Sequence, residues 1–265
     1  MHSSLVKAAS VSSCSEDDPT KTPHVYISRH PCLHSPPRTE SNRASMLHLP
    51  LKGTDKVDLA KSLHRFVEVA YSSEQADEHK EVFKEISELR EKVRAVQLKE
   101  EDASDSVRLL LRYYRLLCAM RIRFGSVVEE DVAWTPFMWK DANKVSEKAS
   151  RPELTFEIAS VLFNLAGALS FSATLENRGT TSGLRAACAS FQSAAGALEA
   201  LAALVPITAA DADMTYDLHP KAVGAWKSIM LAQAQQCFYE KAVLDQVKPS
   251  VVAKLSAQVA RGIAN

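Results

Sequence analysis

Eight histidines, five cysteines and acidic runs such as Glu129-Glu130-Asp131 are the side chains that could hold a metal or carry out nucleophilic or acid/base chemistry. Their spacing argues against all three uses. His2, His24, His30 and His34 fall in the Ser/Pro-rich opening stretch, and His48, His64, His79 and His219 are scattered without ligand spacing. Cys14, Cys32, Cys118, Cys188 and Cys237 lie far apart with no CxxC pair. An odd count without a secretory segment reads as small apolar groups in a reducing, cytoplasmic compartment. Glu129, Glu130 and Asp131 read as a solvated turn rather than a catalytic pair. No phosphate loop, GxGxxG, HExxH or GxSxG pattern occurs. The expectation is a binding protein, with no enzymatic activity, no cofactor and no metal.

One stretch poses a binding question of its own: "MLAQAQQCFYEKAVLDQVKPSVVAKL", residues 230–255. Phe238 and Tyr239 are neighbours, about 100° apart on a helix, so they cannot both point inward. Pro249 can open a second helix at its first position. Val251 and Leu255 then stand four apart on one face. Spacing alone reads Phe238, Val251 and Leu255 as ordinary inter-helix core.

The elements that must position these residues are helical. The chain has 265 residues, 46% of them apolar, with only 8 glycines. That is helix-forming material with enough apolar mass for a core. Lysine plus arginine equals aspartate plus glutamate, at 32 each, so net charge gives no reason to expect nucleic acid or an anionic membrane as partner. Residues 1–45 lack any hydrophobic period and are expected to be a disordered tail. A domain is expected over 46–265. Within it "LHLPL" (47–51) alternates like a short strand. Thr54 or Asp55 can cap a helix running to about Tyr71. A second helix is predicted over 74–95 with Val82, Ile86, Leu89 and Val93 inward, and a third over 102–123. "VAWTPFMWKDA" (132–142) reads as short edge strands or an extended turn. Helices resume at Pro152.

The run "IASVLFNLAGALSFSATL" (158–175) is just long enough to span a bilayer, but Asn164 and three serines make a buried helix the better reading. Gly179 suits a helix stop, with Thr181 or Ser182 as the next cap. In 182–204, Leu184, Cys188, Phe191, Ala195 and Leu198 repeat at steps of four and three. Ala186, Ala187, Ala194, Gly196 and Ala197 around them predict close neighbours on several sides, as in stacked helical hairpins. The fold class expected from the residues is mostly α, with stacked helical hairpins.

Several stretches resemble the BRO1 domain family, the ESCRT-associated adaptors of the Alix type. They are "DKVDLAKSLHRFV" (55–67), "LLLRYYRLLCAM" (109–120), "FMWKDA" (137–142), "FEIASVLFNLAGALS" (156–170), "FQSAAGALEAL" (191–201) and "SIMLAQAQQCFYEKAV" (228–243), in family order. The resemblance implies a mostly α fold: a curved stack of helical hairpins with a tetratricopeptide-like middle and a small N-terminal β-sheet. It implies a non-catalytic scaffold that binds the C-terminal amphipathic helix of an ESCRT-III subunit of the Snf7/CHMP4 type, in endosomal sorting and membrane remodelling. It implies a cytoplasmic protein recruited to endosomes, with membrane association through its partners. Carried over, the contact residues are Phe238, Val251 (often isoleucine in the family) and Leu255, with basic Lys241 and Arg185 beside them. Tyr239 is expected to point elsewhere. The alternative is a BRO1-domain scaffold in pH or GTPase signalling without ESCRT-III binding, for which a buried Phe238 and Leu255 would speak. The chain reads as truncated at "ARGIAN", which predicts exposure of Val252, Val259 and Ile263.

Overall fold

A computed structural model describes residues 46–124, 136–204 and 214–264, with side chains described as far as residue 261. The 1–45 tail, the acidic run at 129–131, Val132, Trp134 and the side chain of Ile263 lie outside the described residues. Eight α-helices and one two-stranded sheet form among the described residues, so the protein is mostly helical as the composition predicts. In order they are α1 (Leu59–Ala70), α2 (Ser73–Glu78), α3 (Lys80–Arg94), α4 (Ala103–Phe124), β1 (Phe137–Lys140), β2 (Lys148–Arg151), α5 (Leu154–Thr174), α6 (Thr181–Leu204), α7 (Pro220–Leu244) and α8 (Pro249–Ala264). The chain divides into two compact units, one of Pro50–Leu165 with Ala203–Ala222, the other of Met1–Leu49, Ala166–Ala202 and Val223–Asn265.

In the Pro50–Leu165 unit, α1 starts later than the sequence predicts. Asp58 is its cap, accepting the Lys61 N–H at 3.0 Å. Thr54 and Asp55 are engaged elsewhere: the Thr54 hydroxyl donates to the Met138 carbonyl at 2.7 Å, and Thr54 forms an isolated bridge with Trp139. The helix predicted over 74–95 is two helices, broken at His79, and Ser72 caps the first. Val82 is exposed, and Phe83 takes the inward place beside Leu89 and Val93, while Ile86 is half-buried. β1 pairs with β2 in antiparallel register, Phe137 opposite Arg151 and Lys140 opposite Lys148. The "FMWK" strand was legible, whereas its partner "KASR" was not assigned.

Two buried charge networks hold this unit. Glu157 on α5 accepts from Arg90 Nε (3.0 Å), Tyr113 Oη (3.0 Å) and Trp139 Nε1 (2.6 Å), all four side chains being buried. Arg90 also donates to the Asp55 carbonyl and the Thr54 hydroxyl, each at 3.0 Å. Its remaining N–H groups are thus turned to the segment before α1, as a buried guanidinium requires. Burial pushes the Tyr113 phenol well above its usual range, with the Glu157 charge adding. In the second network Lys52 Nζ donates to Asp217 Oδ1 at 2.6 Å and Oδ2 at 2.5 Å, and to Thr215 Oγ1 at 2.9 Å.

The strand expected at 47–51 has no ladder. Side chains do a strand partner's work instead. Asn164 clamps the Lys52 backbone, accepting its N–H at 2.7 Å and donating to its carbonyl at 3.0 Å. In the other unit Gln233 does the same to Leu47, at 2.5 and 2.9 Å, and Ser170 Oγ accepts the Leu49 N–H at 3.1 Å. These bonds supply the buried backbone partners that an unpaired extended segment lacks.

α5 and α6 are long and apolar enough to cross a membrane by length and composition, but 89% of the apolar window in α5 is buried in the protein. In α6, Leu184, Cys188, Phe191, Ala195 and Leu198 are buried as the spacing predicts. The cap is Thr180, whose hydroxyl accepts the Gly183 N–H at 3.1 Å, not Thr181 or Ser182. The helix before it ends at Thr174, five residues short of Gly179. Gly183 is the glycine that close approach demands: a Cβ there would sit 2.0 Å from the Asn177 carbonyl oxygen. Gly196, expected to admit a neighbour, faces open space.

Candidate partner-binding hairpin

α7 and α8 form a helical hairpin in the unit that holds Val223–Asn265. Pro220 and Pro249 each occupy a first helical position, where the missing N–H is not needed and φ is already helical. The turn closes with two bonds: Val247 N–H donates to the Ala242 carbonyl at 3.0 Å, and Gln246 N–H to the Val243 carbonyl at 3.1 Å. Gln246 takes φ 52°, the left-handed conformation this double closure requires and glycine usually fills.

The turn is centred between Gln246 and Val247, so residues equidistant from that point lie at the same level of the hairpin. Gln235 and Gln258 are such a pair, and Gln235 Nε2 donates to Gln258 Oε1 at 3.0 Å. The same register puts Phe238 level with Leu255 and Ala242 level with Val251. Phe238 is 47% exposed and Val251 42%, while Leu255 is half-buried. The hairpin therefore carries its three predicted apolar residues along one stretch, with two of them open to water. Tyr239 is half-buried. Val252 and Val259, expected to be exposed, are half-buried because their helical step matches that of Leu255, toward α7.

Sequence reasoning missed Leu231. It lies seven residues before Phe238, within about 20° of it around the helix, and is 46% exposed. The heptad step between the two was the available signal. Glu240 stands on the opposite side of α7 from Phe238. Arg178 Nε donates to its Oε2 at 2.8 Å and Gln236 Nε2 to its Oε1 at 2.9 Å, tying the helix to the turn before α6.

Of the predicted basic residues, Lys241 is not a free cation. Lys241 forms an ion pair with Asp245, one turn on. Thr181 Oγ1 donates to Asp245 Oδ1 at 3.3 Å, and Arg185, exposed near the start of α6, acts on the same carboxylate. The Lys241 hydrogen bond chiefly holds the Asp245 carboxyl below its usual range, with Thr181 and the charges of Lys241 and Arg185 adding. Lys241, Arg185 and Asp245 thus form one cluster beside the apolar stretch. Asp245 was missed, although its i,i+4 spacing from Lys241 was a legible signal.

Residues 46–262 match the family model of the BRO1-like domain. The chain belongs to the BRO1-like domain family. It is 35% identical over 218 residues to ALG-2 interacting protein X of Dictyostelium discoideum, covering 81% of this chain and 26% of that protein. It is 34% identical over 218 residues to Vacuolar-sorting protein BRO1 of Arabidopsis thaliana, covering 81% of this chain and 25% of that protein. The chain thus spans about a quarter of these curated relatives. Among solved structures it superposes on the ALIX BRO1 CHMP4C complex with a TM-score of 0.71 at 31% identity, covering 83% of this chain and 62% of that one.

Proposed function

We propose that this BRO1-like domain is a non-catalytic adaptor that receives the C-terminal amphipathic helix of an ESCRT-III subunit of the Snf7/CHMP4 type on the α7–α8 hairpin. The observation that carries the reading is the exposure of Phe238 and Val251 along the hairpin stretch shared with Leu255. The likeness to a BRO1 domain solved with CHMP4C supports the choice of partner. An apolar strip flanked by charge fits the helix-in-groove mode of recognition. Covering the three side chains stabilises the complex by about 1.5–3 kcal/mol each, gross, and lost translational and rotational freedom offsets much of that. Val251, smaller than the isoleucine common in the family, contributes at the low end. The adaptor acts in the cytoplasm and is recruited to endosomes. The exposure of Phe238 favours this reading over a signalling scaffold without ESCRT-III binding.

The test is a pull-down with the C-terminal helix of an Snf7-type subunit, comparing wild type with Phe238→Asp and Leu255→Asp. Both variants are expected to lose binding while their helical circular dichroism is retained. Undiminished binding in both would remove the hairpin as the site. Parallel loss of fold and binding would return the residues to the core.

A further inference from the structure

α4 carries five arginines and one acid between Ala103 and Phe124. Arg108, Arg112, Arg115 and Arg123 fall, with Ala119 and Ile122, within a sector of about 100° that runs some 22 Å along the helix. All six are exposed. The other side of the helix buries Leu110, Tyr113, Leu117 and Met120, which fixes this row toward solvent. Arg108 is paired with Asp105. Arg112, Arg115 and Arg123 have no ion-pair partner among the described residues. The chain as a whole is neutral, so the row is a local concentration of charge that the overall balance conceals.

Rows of arginine suit phosphate, which the planar guanidinium binds through two hydrogen bonds. Ile122 selects among the sources of phosphate. It is 67% exposed within the same sector. Against a nucleic-acid backbone it would stay in water. At a bilayer it enters the boundary between headgroups and acyl chains, while the arginine stems reach back to the phosphates. We propose that the outer face of α4 docks directly on an anionic lipid surface, with Arg112, Arg115 and Arg123 on headgroup phosphates and Ile122 inserted beside them. This contact is separate from the α7–α8 hairpin and needs no partner protein.

The experiment is co-sedimentation of the full chain with phosphatidylcholine vesicles, with and without phosphatidylserine. Wild type is expected to bind only the anionic vesicles and to be released by salt. Each arginine accounts for about fivefold in partitioning, so R112Q/R115Q/R123Q is expected to bind about a hundredfold less well. Glutamine keeps the helix propensity and stem, and retained circular dichroism confirms the fold. I122S is expected to weaken binding as well. Phe238→Asp is expected to leave vesicle binding unchanged, and the triple variant to keep its partner helix, so the two proposals fail separately. Equal binding of wild type to neutral and anionic vesicles would overturn the inference. So would unchanged binding by the triple variant, or binding to an RNA oligonucleotide with none to vesicles.

Discussion

Lys241 and Asp245 stand one turn apart where α7 ends, and they neutralise each other at the edge of the apolar strip. An acid at a helix C-terminus opposes the helix dipole. Lys241, Thr181 and Arg185 together offset that cost. The pair also occupies the cation that would steer an acidic partner helix. Asp245→Asn is therefore expected to raise the association rate of such a helix several-fold at low salt, with the gain lost at high salt where surface charges are screened. Stopped-flow binding at two ionic strengths reads this out. A rate that falls, or a gain that survives high salt, would show that Asp245 serves the partner rather than competing with it.

Asp141 links stability to pH. Burial alone pushes its carboxyl up, but the N–H groups of Asn143 (2.8 Å), Asp217 (3.0 Å) and Lys144 (2.9 Å), with the Lys52 charge, bring it below the ordinary 3.8. The unfolded chain thus takes up this proton first as pH falls. The stabilisation is complete well above 3.8 and is lost as pH drops through the lower folded value. Asp141→Asn is expected to cost about 1–3 kcal/mol at neutral pH, since its amide would face the Asp217 N–H donor to donor. That deficit should shrink when urea unfolding is repeated near pH 3. A deficit of equal size at both pH values would refute the linkage.

The helical periods made most of α1 and α3–α6 legible, and the buried repeat of α6 was read residue by residue. What escaped reading depends on partners distant in sequence. Nothing local tells that Asp58 rather than Thr54 caps α1, because Thr54 is taken by Met138, 84 residues on. Arg90 and Glu157 look like surface residues to any hydropathy pattern, yet they meet inside the protein across 67 positions. The amide clamps of Asn164 and Gln233 turned an apparent strand into an unladdered segment for the same reason. At the hairpin, spacing alone favoured core, yet Phe238 is exposed while Ala234 and Ala242, one turn to either side of it, are buried.

Gln246 offers a clean gain in stability. Its φ of 52° crowds a side-chain-bearing residue, whereas glycine adopts it without steric penalty. Gln246→Gly is expected to stabilise the protein by about 1 kcal/mol, read as a rise in urea midpoint. The closure then keeps its two hydrogen bonds, so partner binding should stay the same. A lower midpoint would mean that the Gln246 side chain contributes more to the turn than its backbone costs.

Cys237 sits directly before Phe238 in sequence yet is buried, with Cys188 also buried in the same unit. Burial pushes the Cys237 thiol up to about 12, with Cys188 and Glu240 adding and Arg178 opposing, and it pushes Cys188 up to about 11. The nucleophile in disulfide exchange is the thiolate, so both groups are nearly inert at neutral pH. In a C14S/C32S/C118S background, Ellman's reagent at pH 8 is expected to label these two only as fast as the fold opens, and to label both at once in denaturant. Partner binding should survive prior exposure to the reagent. Labelling at the rate of a free cysteine, with binding lost, would instead place a reactive thiol behind the hairpin's aromatic anchor.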